Sequence, residues 1–521
     1  MSKKTKVLMA ILSIVVCAAI VAFVIINAKS KDESKEKEKI SQTETAKNPE
    51  ETETQETPSD DEPTDNDIIE GYYEDTLLKI EQIKNTESEI KTSENGRSYY
   101  ISEKGDDSND GLSPEKPIAS INALNKLKLH TGDVVYFERG GIYRGMINAD
   151  VAGVSYTSYG EGSKPEIYGS LNNYAKTGEW EETDIPDIYV FSEKFTKDVG
   201  NIIFDSGKEH GIKCVTEVRN GKTYNITTNL QFDSYADLTE DLHFYHDLEN
   251  TGLLYLYCKG GNPSELYDSI EIAERNNIIN VRADNILIDN IEFRYCGSHA
   301  VGAGTCKGLT VQNCEFYWIG GSIQYDSVRF GNGVEIWGGA TDFTVDNCYF
   351  NQIYDAAVTF QFKSNENFDL CSHNIKFTNN VMAYCNYSVE YFLDAGDNQN
   401  NYFEDFVIDG NYMWFAGYGF CEQRPDKEAD AHIKSWTHAN PNKGKFIISN
   451  NIFAFGKNNL IETYSESENR KPEYDSNIYI QYLNHNLGRN GNSDSVMIFD
   501  ETAEKNIVDN YGDENAVVIL F

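Results

Sequence analysis

Residues 286–316 read ILIDNIEFRYCGSHAVGAGTCKGLTVQNCEF, and this stretch contains one pattern twice. Two apolar residues, two positions apart, precede Asn290, and the same arrangement precedes Asn313. Phe293 and Phe316 follow three residues after each asparagine. Apolar residues at this spacing are typical of a β-strand, because successive side chains of a strand point to opposite faces. The stretch therefore predicts short strands that repeat along the chain.

The pattern recurs to residue 482 at spacings of 23, 34, 32, 31, 40 and 32 residues. Such spacings suit one coil of a solenoid whose loops differ in length. The reference positions are Asn290, Asn313, Asn347, Asn379, Gly410, Asn450 and Tyr482. Inward Ile, Val, Phe and Met would stack along one axis, and the asparagines would form a ladder between coils. The sequence predicts an all-β fold, a right-handed parallel β-helix with coils ~4.8 Å apart.

Composition and charge exclude several classes of function. The chain has 521 residues, 84 acidic and 45 basic, and a formal net charge of −39, which argues against nucleic acid as a partner. The 10 cysteines show neither a CxxC pair nor a Cys/His metal pattern, so metal-thiolate chemistry is not expected. Cys314 and Cys348 each follow a reference asparagine and would stack closely enough for a disulfide.

The first 92 residues differ in character from the rest. Lys3, Lys4 and Lys6 precede an apolar run over residues 7–28, which is long enough to cross a bilayer with the N-terminus inside. We predict an uncleaved single-pass signal anchor over residues 1–28, with the C-terminal body extracellular at the cell membrane. A long cleaved signal peptide is the alternative, and it also exports the body. Residues 29–70 contain 6 Lys and 15 acidic residues, which predicts a disordered acidic linker over residues 29–92.

The segment upstream of the repeat carries a more specific signal. Tyr99, Tyr100, Ile101 and Ser102 lead into GDDSNDGLSPEKPIASINAL and then GDVVYFERGGIYRG, which ends at Gly145. This segment resembles the opening of carbohydrate-active right-handed β-helix proteins of the pectate-lyase-like superfamily, including β-helix glycoside hydrolases. The resemblance implies an N-terminal cap and first coil over residues 93–170, an inserted antiparallel β region over 171–274, and β-helix coils over 275–521. It indicates architecture better than substrate, because this fold hosts lyases, hydrolases, epimerases and non-catalytic adhesins.

A column of carboxylates is predicted about eleven residues beyond each reference position, where a second strand points residues outward. Glu335 and Glu390 lie two coils apart, roughly 9 to 10 Å, near the upper limit for an inverting glycosidase pair. Glu422, one coil further and about 5 Å away, would suit a retaining pair, and Glu462 continues the column. Like charges at these distances raise one pKa, as a general acid requires. The catalytic candidates are Glu335, Glu390, Glu422 and Asp326; a solvated surface carboxylate is the alternative for each.

Loops beside this column supply candidate substrate contacts. Aromatic faces stack on sugar rings, and arginines form forked hydrogen bonds to carboxylates or hydroxyl pairs. These contacts are Arg329, Trp337, Gln361, Tyr391, Arg424 and Trp436. His432 and His438 lie in the same loop, where lone histidines are more often exposed than catalytic.

No cofactor is required by this arrangement, and calcium is an open possibility. Asp106 and Gly111 match the opening of a calcium loop, but Pro117 stands where the closing Glu should be, so a turn is favoured. Calcium binding through Glu335 and its neighbours stays open. The metal ligands are otherwise unknown.

These observations predict a cell-surface enzyme that cleaves glycosidic bonds in a polysaccharide or other glycan, by hydrolysis in preference to elimination. The alternative is a non-catalytic adhesin or glycan-binding β-helix protein that uses the same aromatic face. Carboxylates that converge beside aromatic side chains would favour the enzyme, and carboxylates scattered on a flat wall would favour the adhesin.

Overall fold

A computed structural model describes residues 65–521 except 177–178, 364–368, 395, 397, 399, 425–429, 437–441, 465–470 and 491–495. Residues 63–521 form one compact unit. Within the described ranges, no helix has both the length and the apolar character needed to cross a membrane. The anchor predicted for residues 1–28 and the first half of the predicted linker lie outside the described residues.

The body is a three-faced solenoid of stacked parallel strands, which confirms the predicted parallel β-helix; its right-handed winding stays a prediction. The first face consists of Ser98–Ile101, Val134–Glu138, Ser155–Tyr159, Leu287–Asp289, Cys306–Lys307, Thr310–Gln312, Ala340–Asp346, Cys371–Thr378, Tyr402–Asp409, Phe446–Ser449 and Glu473–Asp475.

The second face follows a turn after the first. It consists of Ile142–Arg144, Glu166–Tyr168, Glu292–Cys296, Glu315–Ile319, the first parts of Tyr349–Lys363 and Val381–Asp394, Tyr412–Trp414, Ile452–Ala454, Ile478–Gln481 and Val517–Leu520. The two long strands bend from the second face onto the third, with a register shift between Ile353 and Ala356. This shift is a β-bulge, and it positions one carboxylate of the candidate site.

The third face carries the predicted carboxylate column. It consists of Ile147–Ala149, Ile279–Val281, Val301–Ala303, Val334–Trp337, the later parts of the two long strands, Ala431–Ser435, Ile461–Thr463 and His485–Asn490, with Met497–Phe499 antiparallel to the last. An antiparallel hairpin of Ser322–Tyr325 and Val328–Phe330 precedes Val334–Trp337.

Apolar side chains from the three faces fill one continuous core. Phe293, Phe316 and Phe350 stack on successive coils, with ring centroids 5.1 Å and 4.4 Å apart. All three side chains are fully buried. Burying a side chain of this size contributes ~1.5–3 kcal/mol, so the repeated pattern seen in the sequence is also the main source of stability.

The turn from the first to the second face explains the repeated asparagines. The reference residues adopt a left-handed backbone with φ from 52° to 65°, a conformation that Asn and Gly reach at low cost. In the last coil this position is Ser476, not Tyr482 as the spacing predicts. The prediction is wrong there because Ile478–Gln481 belongs to the second face, where it pairs with Ile452–Ala454.

A buried amide ladder runs one residue after the reference positions. Asn380 donates to Asn411, Asn411 to Asn451 and Asn451 to Asn477, each over 2.9–3.0 Å between Nδ2 and Oδ1. Asn477 donates in turn to the Asp513 carboxylate over 2.9 Å. All five side chains are buried. The ladder satisfies amides that would be costly to bury alone.

Cys314 and Cys348 precede this ladder in the same position on adjacent coils. Both are free thiols, so the predicted possibility of a disulfide is not realised. The Cys314 thiol instead contacts the carbonyl of Gln312 at 3.1 Å, and the Cys348 thiol contacts that of Asp346 at 3.3 Å.

Residues 171–274 form an inserted β region whose strands are almost all antiparallel. A five-stranded sheet contains Ile212–Lys213, His243–Asp247, Leu253–Tyr257, Ile188–Phe191 and Trp180–Glu182, and only the first pairing is parallel. A three-stranded sheet contains Glu209–His210, Val199–Phe204 and Ile270–Glu274, and Thr216–Arg219 pairs with Lys222–Asn225. The Gln423 side-chain oxygen accepts a hydrogen bond from the backbone N–H of Lys213 over 3.0 Å. This bond connects the inserted region to the solenoid beside the third face.

The helix Asp65–Lys84 corrects the linker prediction for residues 65–92. Ile69, Ile80 and Ile83 are buried against an apolar patch on the outside of the second face. The Trp414 indole donates to the Thr76 hydroxyl over 2.9 Å. The acidic composition concealed an apolar stripe that suffices for docking, because most helical stability in proteins comes from packing one face. In the part of the chain that the structure describes, the other α-helices are Ile121–Leu124, Pro263–Leu266 and Ala503–Tyr511, and the short 3-10 helices are Asp205–Gly207, Tyr235–Asp237 and Gly419–Gln423.

Candidate active site

Strand pairing fixes the outward column on the third face. Gly302 pairs with Glu335, Glu335 with Thr359, and Thr359 with Glu390. Glu335 and Glu390 therefore lie two coils apart, as the sequence predicts, about 9 to 10 Å along the stack. Both residues are buried despite their outward direction, with exposed fractions of 8% and 4%.

The next coil differs from the prediction. Glu390 pairs with Lys434, Lys434 with Glu462, and Glu462 with Arg489. Glu422, predicted to follow Glu390 directly, instead lies in the 3-10 helix Gly419–Gln423. The eleven-residue count fails because the long loop of this coil precedes the third-face strand Ala431–Ser435. The single-coil carboxylate pair that would suit a retaining mechanism is therefore absent from the described column.

Among the described residues, the hydrogen-bond donors to Glu390 are neutral. The Trp436 indole donates to Oε1 over 2.6 Å, and the Gln361 amide donates to Oε2 over 2.5 Å. Burial, followed by the negative charge of Asp355, raises the pKa of Glu390 to about 8, and Glu335 adds to this rise. The hydrogen bond from Trp436 acts in the opposite direction. A carboxyl that stays protonated near neutral pH can act as a general acid.

Asp355 is a third carboxylate at the site, and it was not among the predicted catalytic residues. It sits at the bulge between Ile353 and Ala356, where the alternation of the long strand is interrupted. Arg424 donates to its Oδ1 over 2.8 Å, and this ion pair is largely buried. Asp355 therefore carries a negative charge that is paired with Arg424, and the same arginine acts more weakly on Glu390, whose pKa it lowers.

Glu335 is held by two neighbours from adjacent turns. The Asn332 amide donates to Oε2, and its own Oδ1 accepts the backbone N–H of Ala356, which fixes the orientation of the amide. His299 Nδ1 lies 3.1 Å from the same Oε2. The backbone N–H of Asn332 donates to that Nδ1 over 3.1 Å, so the neutral imidazole carries its proton on Nε2.

The predicted aromatic contacts divide into three outcomes. Trp337 is 48% exposed and stands beside Gln361 on the neighbouring strand. Trp436 reaches the site through its hydrogen bond to Glu390. Tyr391 is buried in the core among Phe403, Phe406 and Phe446. The prediction of a substrate contact is wrong for Tyr391, because the residue after an outward Glu390 must point inward.

Arg329 and Asp326 do not belong to the carboxylate cluster. The Arg329 guanidinium is buried and donates to the carbonyls of Gly321 and Gly200 and to Gln423, over 2.6, 3.1 and 2.9 Å. Its donors are used internally, which contradicts the predicted role in binding substrate. Asp326 lies in the exposed turn of the hairpin that precedes Val334–Trp337, with φ of 49°. Such a turn residue is better explained by local backbone geometry than by catalysis.

The structure also shows the surroundings of three further predicted residues, Glu422, Arg424 and His432. Glu422 is half exposed and pairs with Lys457 over 2.8 Å on the surface. Arg424 is directed at Asp355 within the site. His432 is fully buried, bonded to Ser388 and Ala454, and burial lowers its pKa to about 3. His438 lies outside the described residues.

The residues that sequence reasoning missed are Asp355, His299, Asn332 and Lys434. Lys434 donates to Glu462 over 2.8 Å, and its ammonium lies 4.5 Å from the centre of the Trp436 ring. Only Asp355 had a signal, since it stands directly before the two buried alanines that open the third-face half of its strand. In the ranges that the structure describes, no three His, Cys, Asp or Glu side chains are grouped to hold a metal ion.

Neither a family model nor a curated protein matches the sequence. Among solved structures, the chain is similar to a glycoside hydrolase at 10% identity and a TM-score of 0.42, over 74% of this chain and 94% of the other. It is similar to the GH136 lacto-N-biosidase of Eubacterium ramulus at 14% identity and a TM-score of 0.39, over 82% and 68%. A pectate lyase matches at 10% identity and a TM-score of 0.32, over 78% and 74%.

The chain is thus distantly similar in structure to glycoside hydrolases and to a pectate lyase. At these identities and TM-scores, the similarity says nothing about reaction or substrate.

Proposed function

We propose that this protein hydrolyses a glycosidic bond, with Glu390 as general acid and Glu335 as general base. The observation that carries the proposal is the buried Glu390 carboxyl, which has neutral donors on both oxygens and two further carboxylates nearby. Its raised pKa keeps it protonated for transfer to the leaving oxygen. Asp355 supports that state through its charge.

Glu335 suits the role of base because its carboxylate is held in one orientation: the Asn332 amide donates to Oε2 and is itself fixed by the backbone N–H of Ala356. In the proposed reaction, Glu335 accepts a proton from water. The water then attacks the anomeric carbon as the glycosidic bond breaks and Glu390 protonates the departing oxygen. The spacing of about 9 to 10 Å along the backbone favours inversion, for which carboxyl groups lie ~6.5–9.5 Å apart.

Elimination is less well supported than hydrolysis. A β-elimination needs a base at the uronate ring and positive charge to neutralise its carboxylate. At this site, Arg424 is paired with Asp355, and Lys434 is paired with Glu462. The reaction as proposed uses no cofactor, and calcium binding stays a prediction.

The test is a glycan panel incubated with the purified full-length chain, with and without calcium or EDTA. New reducing ends without absorbance at 235 nm are the expected result. Glu390→Gln and Glu335→Gln should each lower kcat by roughly 10²–10⁴-fold, the usual contribution of an acid or base. Glu422→Gln is the matched control on a surface carboxylate and should retain full activity. Full activity in both site variants would sink the proposal, and unsaturated products would establish a lyase.

Glycan binding without catalysis is the second candidate. It is favoured by the low exposure of Glu390, 4%, and by the donors already present on both of its oxygens. A protein of this kind would retain glycans on Trp337, which is exposed beside the column. Binding in the absence of new reducing ends across the panel would select it.

The proposed place of action is the outer surface of the cell membrane. This proposal rests on the apolar run over residues 7–28 and the lysines before it. Protease digestion of intact cells should remove the body and leave a short membrane-bound fragment. A body that stays protected in intact cells and is digested after lysis would contradict it.

A further inference from the structure

A cleft on the third face adjoins Glu335 on the side of the earlier coils. It has a volume of about 260 Å³ and is lined by Asn277, Asn280, Arg282, His299, Gly302 and Glu335. This volume is slightly below that of pockets for drug-sized ligands, which is ~300–1,000 Å³. The cleft therefore has the size for one sugar unit next to a candidate catalytic carboxylate.

The walls of the cleft are built by fixed amides. Asn277 donates to Asn280 over 2.8 Å and accepts the backbone N–H of His299 over 3.1 Å. His299 carries its ring proton on Nε2, because Asn332 donates to Nδ1. Neutral donors and acceptors held in place in this way match the hydroxyl groups of a sugar.

Gly302 forms the floor of the cleft, between Asn280 and Glu335 on the adjacent strands. A Cβ at this position would lie 2.5 Å from Asn277 Nδ2 and 3.5 Å from His299 Cβ. The absent side chain lets the Asn277 amide lie directly against the strand, where it faces the cleft. Every other described strand of this column between Glu335 and Arg489 carries a side chain there.

The negative charge around the cleft determines whether it binds a neutral sugar or a uronic acid. Glu335 and Asp355 provide the negative charge of the site, since Glu390 keeps its proton near neutral pH, and Arg424 pairs with Asp355. Arg282 pairs with Asp150 over 3.3 Å. A uronate carboxylate bound here would meet the like charge of Glu335, and the one cation among the described lining residues, Arg282, is shared with Asp150.

We propose that this cleft binds one uncharged sugar unit of the glycan, beside the bond to be cleaved, and that the site rejects uronic acids. The inference rests on the proposed function, since it assigns the substrate class of the same site. Gly302 allows the Asn277 amide to take its place in the wall, and the Asn277, Asn280 and His299 groups bind the hydroxyls of the ring.

The test measures binding and cleavage separately with the full-length chain. The probes are neutral glycans together with polygalacturonate, alginate and hyaluronan, each beside its carboxyl-reduced form, so that the members of a pair differ only in charge. Binding is followed by affinity electrophoresis in the Glu390→Gln variant, and cleavage by reducing ends in the wild type. Neutral members should bind, and the acidic member of a pair should bind at least about tenfold more weakly.

Gly302→Ala tests the cleft itself. It should weaken the binding of neutral glycans roughly tenfold, since the new methyl displaces the Asn277 amide that contacts the ligand. Gly71→Ala is the matched control, because its Cβ meets nothing within 4 Å on the helix outside the second face. Equal circular dichroism and melting temperature would show that Gly302→Ala is folded.

The outcomes separate the two proposals. Neutral binding that Gly302→Ala weakens, without cleavage, would support the cleft and overturn hydrolysis. Cleavage that proceeds equally on acidic members and in Gly302→Ala would overturn the cleft and support hydrolysis. Binding confined to acidic members, or to none, would overturn the assignment of the cleft.

Discussion

Glu390 and Glu462 occupy equivalent positions on the third face, two coils apart, with Lys434 between them. Both are buried. Glu462 accepts from Lys434 over 2.8 Å and from the Tyr464 hydroxyl over 3.0 Å, and Arg489 lies 3.6 Å away. Glu390 accepts from an indole, an amide and, more weakly, the Thr359 hydroxyl at 3.5 Å, all of them neutral. The same residue in the same column is thus an ion-pair partner in one coil and an uncompensated acid in the other.

Trp436 contacts both environments. One face of its ring is 4.5 Å from the Lys434 ammonium, and its N–H is bonded to Glu390. The ring therefore holds the ammonium over its face and the candidate acid at its edge, while Lys434 pairs with Glu462. The comparison shows that the distribution of cations, more than the presence of carboxylates, marks the site.

The largest effect is expected when the lysine that pairs with Glu462 loses its charge. Lys434→Met leaves Glu462 buried with Arg489 as its nearest cation, so stability should fall by about 3 kcal/mol, as for other broken buried ion pairs. The measurement is urea denaturation. Lys457→Met is the matched control, since its pair with Glu422 is half exposed and screened by solvent; it should cost less than ~1 kcal/mol.

The double variant Lys434→Met with Glu462→Gln sharpens this result. It removes both charges and should recover most of the lost stability, because no uncompensated charge remains. Equal losses in Lys434→Met and Lys457→Met would show that the buried pair contributes no more than the surface pair.

A smaller effect is expected in the pH dependence of stability, to which Glu390 contributes. The pKa of Glu390 is raised from 4.5 to about 8 in the folded chain by burial. Between these values, the unfolded chain releases this proton and the folded chain retains it, so the contribution of Glu390 to stability falls as pH rises and levels off above pH 8. Glu390→Gln does not titrate. Its stability relative to the wild type should therefore increase from pH 4.5 to 8.

Urea midpoints at several pH values would check this trend. Circular dichroism of Glu390→Gln at pH 5 serves as the control for folding. Parallel curves for the two proteins across this range would contradict the assignment of a raised pKa.

The smallest expected effect concerns Trp436. Trp436→Phe keeps the ring but removes the hydrogen bond that lowers the Glu390 pKa, so the alkaline limb of the pH–rate profile should move up. Trp436→Ala removes the ring that contacts both groups and lets the Lys434 ammonium approach Glu390. The alkaline limb should then move down. Shifts of the same sign in both variants would show that Trp436 does not keep the Lys434 ammonium away from Glu390.

Much of the fold was predictable because it depends on local alternation. Period two and the reference asparagines predicted the parallel β-helix and the shared column of Glu335 and Glu390. The same rule also implied that Tyr391 points inward, and the substrate contact proposed for it conflicted with that rule. Glu422 was misplaced because the length of a loop does not reveal on which side of a strand it lies.

Other parts of the site depend on packing that spacing does not encode. Asp355 reaches the site through a bulge, and Arg329 is used by carbonyls of the hairpin and the inserted region. His299 and Asn332 meet Glu335 from different coils. The helix Asp65–Lys84 was missed because its composition is acidic overall, although one stripe is apolar.

The buried amide ladder has a direction, and this constrains how the solenoid could grow. Each amide donates toward the following coil, from Asn380 to Asn477, and the series ends on the Asp513 carboxylate, which only accepts. A duplicated coil with asparagine at this position would join the series anywhere before Asp513. A coil added after Asp513 would find no donor to continue it. Lengthening of this protein by duplication is therefore favoured within the ladder and disfavoured at its carboxylate end.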